Sequence, residues 1–282
     1  MELPAAPHYN AARGIRAASV PLGEYWQSLT RLQTEGILGT RALSLQRQTS
    51  SPVAPSGLKP GAGDPELGTT TNRGLHEFLL DRVLPRYTRP GARAADLGAG
   101  TGALGVRLRE LGCEVVAVDL RPGQFRADLP FLQMNLDDAD FASSLGAGAF
   151  ALVTSVEVIA HVESPIGFLR NVRRLLSPGG VAVLTTPNVD NAPARIKFLL
   201  KGKIRMMDEI GEPTHVSPIF WDLFNRQYLP RAGLRLVEHH LFPPRDFQLT
   251  RRRFAWLMRA LARGLRGPAL FGDNHVFVLA PE

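Results

Sequence analysis

ARAADLGAGTGALG, residues 92–105, reads as a short apolar strand that breaks into a glycine-rich turn and then opens a helix. Ala92 to Leu97 has the length and near-continuous apolar character of a strand buried on both faces. Gly98, Gly100 and Gly102 follow, and glycines here let the backbone turn sharply and approach a ligand without side-chain obstruction. The helix continues through GALGVRLRELG and offers its positive N-terminus to a negative group. In a sheet built from such units, ligands lie beyond the carboxyl ends of the strands.

The same alternation continues on both sides of this unit. Upstream, NRGLHEFLLDRVLP (72–85) places Leu75, Phe78, Leu79 and Val83 on one helical face, and Pro85 ends the run. Downstream, EVVAVDL (114–120), FLQMNL (131–136), AFALVTSVEV (149–158) and VAVLTTP (181–187) read as strands, with the helix SPIGFLRNVRRLL (164–176) before the last. GLRLVEHH (233–240) and HVFVLA (275–280) read as closing strands. Strands alternating with helices imply parallel strands joined by crossovers. The expected fold is α/β: a doubly wound, mostly parallel seven-stranded sheet of Rossmann-like type.

Composition is consistent with this. The chain has 282 residues, 44% hydrophobic, which supports a real core and excludes whole-chain disorder. Its single cysteine, Cys113, excludes an intrachain disulfide and a multi-cysteine zinc site. With no apolar run long enough to cross a bilayer and no secretory signal at its start, the sequence predicts a soluble, cytoplasmic protein. The net charge of +7 comes mostly from arginine, a skew that a GC-rich genome produces as readily as a binding role.

Residues 1–70 read as an N-terminal extension and residues 71–282 as the folded domain. SSPVAPSGLKPGAGDP (50–65) has the composition of a flexible connector, and Glu24 to Gln48 could form a helix weakened by Gly36 and Gly39. Poor in acids, the extension leaves three readings open: a transit peptide, a disordered tail or a lid helix.

The residues at the strand ends describe a pocket for an adenosine-containing ligand. Asp96 and the glycines close the first strand, and Asp119 with Leu120 closes the second, where a carboxylate accepts hydrogen bonds from two ribose hydroxyls. Asn135, Leu136 and Asp137 follow the third strand and are placed to frame an adenine. Gly100, Gly102 and Gly105 also fit G-x-G-x-x-G, a nominal dinucleotide fingerprint. Asp96 argues against that ligand, because a carboxylate there repels a pyrophosphate and attracts an ammonium. S-adenosylmethionine supplies an ammonium together with a sulfonium.

DLGAGTG, AVDL, SVEVIAHV and RLLSPGGVAVLTTPN together resemble the class I S-adenosylmethionine-dependent methyltransferases, and most of all the ubiquinone-biosynthesis O-methyltransferase group. The likeness spans roughly residues 72–190 and specifies the class, not the acceptor. It implies S-adenosylmethionine as methyl donor, with Asp96 and the glycine loop on the methionine end, Asp119 on the ribose, and Leu136 and Asp137 on the adenine. It also implies a donor contact at Val156 and, more loosely, at Arg73, whose other reading is a solvated residue at a helix start.

Methyl transfer needs a positioned nucleophile and, for a hydroxyl or amine, a proton acceptor. Glu157 and His161, just beyond the fourth strand, are the candidate catalytic residues, with His161 as base or, alternatively, as a brace for its loop. Relatives commonly read E-x-x-E-H and are associated with a divalent ion; here the second acid is Ala160. His215 could join Glu157 and His161 as a ligand, yet losing a carboxylate weakens affinity for a hard ion, so no metal is expected.

Residues 188–232 form an insertion mixing Phe198, Met206, Met207, Phe220 and Trp221 with Lys197, Lys201, Lys203 and Arg205, read as a lid over a partly apolar acceptor. Residues 245–266 carry seven arginines against Asp246. Projected as a helix, they group Phe254, Leu257, Leu261 and Leu265 on one face, with Arg252, Arg259, Arg263 and Trp256 on another. That is a charged face on a docked helix or a peripheral membrane contact. The expected acceptor is a small or lipid-like hydroxyl; an RNA 2′-O-methyltransferase and a catalytically silent donor-binding module are the alternatives. No RNA-binding module is appended, which places nucleic acid behind a small molecule.

Overall fold

The computed structural model describes residues 67–68, 71–208, 214–250, 252–264 and 267–282. The expected helix at Glu24 to Gln48, the connector 50–65 and Leu265 lie outside the described residues.

Seven strands form one sheet in the order β3-β2-β1-β4-β5-β7-β6. They are β1 (Arg93–Leu97), β2 (Glu114–Asp119), β3 (Phe131–Gln133), β4 (Phe150–Val156), β5 (Leu176–Pro187), β6 (Leu234–Phe242) and β7 (Asn274–Pro281). The first five are parallel, and β7 runs antiparallel between β5 and β6. Every residue of β1 after Arg93 is buried, as a strand covered on both faces requires. β3 is shorter than the apolar run suggested: after Gln133 the chain turns, and the Met134 amide bonds back to the Asp119 carbonyl. β5 is longer, pairing from Leu176 onward.

The first helical segment, α1, opens as Leu75–Phe78, passes through a π-helical turn at Leu79–Val83 and ends in a 3-10 turn at Leu84–Arg86. Leu75, Leu79, Val83 and Leu84 pack into one core with Leu104, Leu108, Leu152, Val183, Val276 and Val278. Helix α2 (Ala103–Glu110) follows the glycine turn. A short helix α3 (Phe141–Leu145), absent from the sequence reading, is capped by the Asp140 carboxylate accepting the Ser143 amide. In α4 (Pro165–Leu175) the Ser164 hydroxyl accepts the Gly167 amide and Pro165 sits in the first turn. Phe168, Leu169, Val172 and Leu175 then bury one face.

The insertion after β5 carries α5 (Ala192–Lys201) and α6, which runs from Trp221–Leu223 through a π-helical turn at Phe224–Tyr228 to Leu229–Ala232. The Arg-rich segment forms α7 (Arg252–Gly264). Its docked face is not the one the large apolar residues suggested. Ala255, Met258 and Ala262 are buried, with Met258 and Ala262 clustering with Ala192 of α5, whereas Phe254, Leu257 and Leu261 stay exposed. Phe247 and Leu270 complete the cluster that covers this face, and the bulky stripe is left outside. No helix among the described residues is long and apolar enough to cross a membrane.

Beneath α6 the sheet is covered by stacked rings. Phe224 lies 4.4 Å from Phe277, Trp221 lies 4.0 Å from His239, and His275 lies 5.2 Å from both His239 and Phe277, all centroid to centroid. His239 Nε2 and His275 Nδ1 share a hydrogen bond of 2.9 Å. Burial lowers His275 to about 3 and His239 to about 4, so the fold holds both rings neutral. An unfolded chain protonates them near 6.5, so their contribution to stability is lost as pH falls below that value toward the folded values. Replacing His275 by Phe removes one such term. Urea titrations of the two proteins are expected to diverge below about pH 6, the variant gaining about 1.4 kcal/mol per pH unit on the wild type. Parallel curves would show that the ring is not held neutral.

Candidate donor and acceptor site

The strand order reverses between the parallel neighbours β1 and β4, and the site residues collect beyond that point. Asp96 pairs in register with Thr154 of β4, whose hydroxyl donates to Asp96 Oδ1 at 2.8 Å. The carboxylate is 2% exposed, and its Oδ2 is buried with no hydrogen-bond partner. Burial pushes Asp96 up to about 6; Asp119 adds a like charge, while Thr154 and, weakly, the Gly105 amide pull downward.

The glycine turn is braced on β2. The amides of Gly98 and Ala99 both bond to the Val118 carbonyl, at 2.7 and 3.0 Å. Gly98 has φ of +74°, and a side chain there would meet Val158 at 2.2 Å, so the loop after β4 lies directly against the turn. Gly100, at φ of +56°, has nothing within 4 Å of where its Cβ would be: the space over it is open. Asp119 accepts the Gly100 amide on Oδ2 and the Arg121 amide on Oδ1, each at 2.9 Å. A carboxylate offers about four lone-pair directions, so each oxygen keeps one for a ribose hydroxyl.

Leu120 is 56% exposed beside it, available as an apolar wall. Asn135 turns inward on its own loop, its Oδ1 accepting the Asp137 amide at 3.0 Å, with Leu136 half-buried between them. Asp137 Oδ1 accepts the Glu163 amide at 2.7 Å and so ties the loop after β3 to the loop after β4. Arg73 is exposed ahead of α1, its carbonyl held by Gln248 Nε2 at 3.1 Å.

Past Val156, which is half-buried, Glu157 adopts φ of +62°, a left-handed conformation that costs a side-chain-bearing residue energy. Its amide bonds to Thr185 Oγ1 at 3.0 Å and its Oε1 accepts from the same hydroxyl at 2.8 Å. Burial raises its carboxyl to about 7, with Thr185 and Asn274 pulling it back. His161 is exposed and lies 3.2 Å, through Nδ1, from the Thr214 carbonyl. The Thr214 hydroxyl also lies 3.1 Å from Nδ1, so one residue of the insertion holds the ring through two oxygens.

The insertion reaches back to this loop: the Val216 and Ser217 amides bond to the Ala160 carbonyl at 2.9 and 3.0 Å, and Ser217 Oγ to the Val162 carbonyl at 2.7 Å. His215 packs on His161 with ring centroids 4.5 Å apart, its Nδ1 on the Met206 carbonyl at 2.7 Å. Glu157 thus faces Thr185 while the two histidines face each other. Among the described residues no group of three His, Cys, Asp or Glu side chains is assembled for an ion.

Asp96, the glycine turn and Asp119 therefore lie together along one edge of the sheet. Thr154, Thr185 and Asn274 support it and were missed in the sequence, where a threonine or asparagine at a strand end carries no distinctive signal. The edge fits S-adenosylmethionine: an orphaned buried carboxylate oxygen for an ammonium, open space over Gly100, and lone pairs on Asp119 for a ribose.

Its buried negative charge generates a linked prediction. Because the folded carboxyl titrates about two units above its ordinary 3.8, the ionised form costs the empty protein stability above pH 6. Asp96→Asn is expected to raise the unfolding free energy at pH 8 by roughly 1–3 kcal/mol, and to weaken donor binding by about tenfold to a hundredfold. Calorimetry and urea unfolding read both; a variant that is less stable and binds normally contradicts the assignment.

Residues 71–247 match the methyltransferase domain family. The chain is 31% identical over 148 residues to the ubiquinone biosynthesis O-methyltransferase of Xanthomonas campestris pv. campestris (strain B100), covering 50% of this chain and 61% of that protein. To the enzyme of the same name from Xanthomonas axonopodis pv. citri (strain 306) it is 30% identical over 172 residues, 58% of this chain and 71% of the relative. In fold it is similar to a SAM-dependent methyltransferase from Archaeoglobus fulgidus, with a TM-score of 0.53 at 18% identity over 74% of this chain and 96% of that one. From its sheet, its strand-end acids and these matches, the chain belongs to the methyltransferase domain family, the class whose donor is S-adenosylmethionine.

Proposed function

We propose that this methyltransferase acts on a hydroxyl of a small or lipid-like molecule, with His161 accepting the hydroxyl proton and Glu157 shaping the charge beside the transferred methyl. The observation that carries this reading is the loop 157–162. It rests on the glycine turn through Val158 and presents an exposed His161, held through Nδ1 by Thr214, under an insertion of mixed apolar and basic character. The name shared by the Xanthomonas relatives supports oxygen as the receiving atom.

The bound donor supplies a methyl on a sulfonium, so the reaction is an in-line displacement. The protein's share is then to hold the nucleophile in attack geometry, which supplies on the order of 7–11 kcal/mol, and to receive a proton. Asp96 and Asp119 anchor the two ends of the donor. Residues 214–217 of the insertion, tied to this loop through the Val216 and Ser217 bonds to the carbonyls of Ala160 and Val162, wall the acceptor side beside His161. Arg73, Asn135, Leu136, Asp137 and Val156 complete the proposed donor contacts, and residues 188–232 serve as the acceptor lid.

Replacing His161 by Ala is expected to lower turnover by about 10²–10⁴-fold with donor affinity unchanged. An undiminished rate removes it as the base. Glu157 is ionised only above about pH 7, so the wild-type rate is expected to climb through pH 7 as its carboxylate forms. Glu157→Gln should erase that limb of the pH profile, and a limb that persists in the variant assigns it to another group.

A further inference from the structure

Among the described residues only two that carry a side chain take a positive φ: Glu157 at +62° and Met206 at +69°. A residue other than glycine persists in that conformation where its surroundings over-determine it, and such residues gather at functional sites. Glu157 lies in the loop after β4. Met206 lies in the insertion, and its carbonyl is 2.7 Å from His215 Nδ1. The His215 ring in turn packs on His161, with centroids 4.5 Å apart and planes inclined by 56°. The strained turn at Met206 therefore stands one ring away from the candidate base.

Two ion pairs brace this turn from either side along the chain. The Arg205 side chain is 9% exposed, and its Nη1 donates to Oδ1 of the fully buried Asp273 at 2.8 Å. Asp208, with a side chain 8% exposed, holds Lys197 of α5 at 2.6 Å. Asp273 is itself fixed by three other segments. Its amide bonds to the Phe242 carbonyl at 2.7 Å, and its carbonyl accepts the Asn188 amide at 2.8 Å. Its Oδ2 accepts the amides of Gln248 and Leu249 at 2.5 and 2.9 Å. Arg205 is thus the group through which the insertion reaches this anchored carboxylate. Stability alone is a poor account of the pair, because burying two charges recovers little over apolar packing of the same volume. What such a pair can supply is a single register for the segment that carries it, and here that segment carries Met206.

We propose that Arg205 is a positioning residue: docked on Asp273, it fixes the turn at Met206, whose carbonyl sets the His215 ring against His161. The contacts run from the start of β7 to the imidazole beyond β4, and Asp208 with Lys197 secures the other side of the turn. Without the guanidinium the turn relaxes from its left-handed conformation and withdraws the Met206 carbonyl from His215. The bearing on the reaction rests on the reading of His161 as proton acceptor, whereas the contacts are measured without donor or acceptor. An unchanged rate in His161→Ala therefore removes the base and leaves the brace, and unmoved rings do the reverse.

The test is proton–nitrogen correlation spectroscopy of the histidine rings in the full chain, with His161 and His215 assigned by their alanine variants. His240, held by Glu238 at 2.8 Å on β6, is the internal reference. Ring-to-ring cross-relaxation between His161 and His215 is expected in the wild type. Arg205→Met should abolish it and shift both rings while His240 stays in place, and Arg205→Lys, which returns a cation to Asp273, should restore it. Lys197→Met, at the half-buried outer end of the second brace, is the milder variant and should weaken the same contact. Rings that keep their contact in a folded Arg205→Met protein overturn the proposal, as does the absence of that contact from the wild type. A His240 signal that moves with the other two also overturns it, since a general loss of structure gives that result. If Arg205→Met does not fold, Lys197→Met decides, and unmoved rings in that protein overturn the proposal equally.

Discussion

Asp96 is buried before anything binds to it, and the site is organised around that one charge. β1 places it at the point where the strand order reverses, β4 offers a single hydroxyl from Thr154, and Oδ2 is left without a partner. An unsatisfied carboxylate in an apolar interior costs a fold several times what an ordinary hydrogen bond returns. The cost is tolerated because it has a direction: a cation arriving at Oδ2 restores what burial removed. Protonation offers the empty protein a partial escape, hence a carboxyl titrating near 6 rather than in its ordinary range.

The second acid solves the opposite problem. Asp119 sits 7% exposed at the end of β2, near enough to add a like charge to Asp96, yet it is satisfied by two backbone amides. Those amides belong to the glycine turn and to the start of the next loop, so one carboxylate shapes the backbone that approaches the ligand. Together the acids make the pocket edge negative where a dinucleotide would lay its pyrophosphate. The glycines alone are ambiguous between the two ligand classes, and the electrostatics decide between them.

What could be read from the chain and what could not divides along the range of the interaction. The turn 98–102, its flanking strand and Asp119 are legible because their meaning lies within one strand–turn–helix unit. Thr154 and Thr185 act on partners 58 and 28 residues away, and a threonine inside an apolar strand looks like any other β-branched residue. The face of α7 was misjudged for a different reason. The segment holds two apolar stripes at helical spacing, one bulky and one of Ala255, Met258 and Ala262, and periodicity does not say which will meet a neighbour. The partner decides: Ala192 of α5 together with Phe247 and Leu270 covers the face that carries Met258 and Ala262.

The loop after β4 links the two halves of the site mechanically. Glu157 reverses the chain in a left-handed conformation, Val158 fills the space that only a glycine at position 98 leaves, and the Ala160 carbonyl receives the two amides of the insertion. The glycine turn, the loop carrying His161 and the insertion are therefore joined by direct contacts. The same contact explains why alanine is accommodated at position 160. Its side chain is 2% exposed beneath the insertion, where a second carboxylate would lose its water and need a cation or donors in exchange. In this chain the insertion holds the loop by backbone hydrogen bonds, and the ring of His215 packed on His161 fixes the imidazole from its other side.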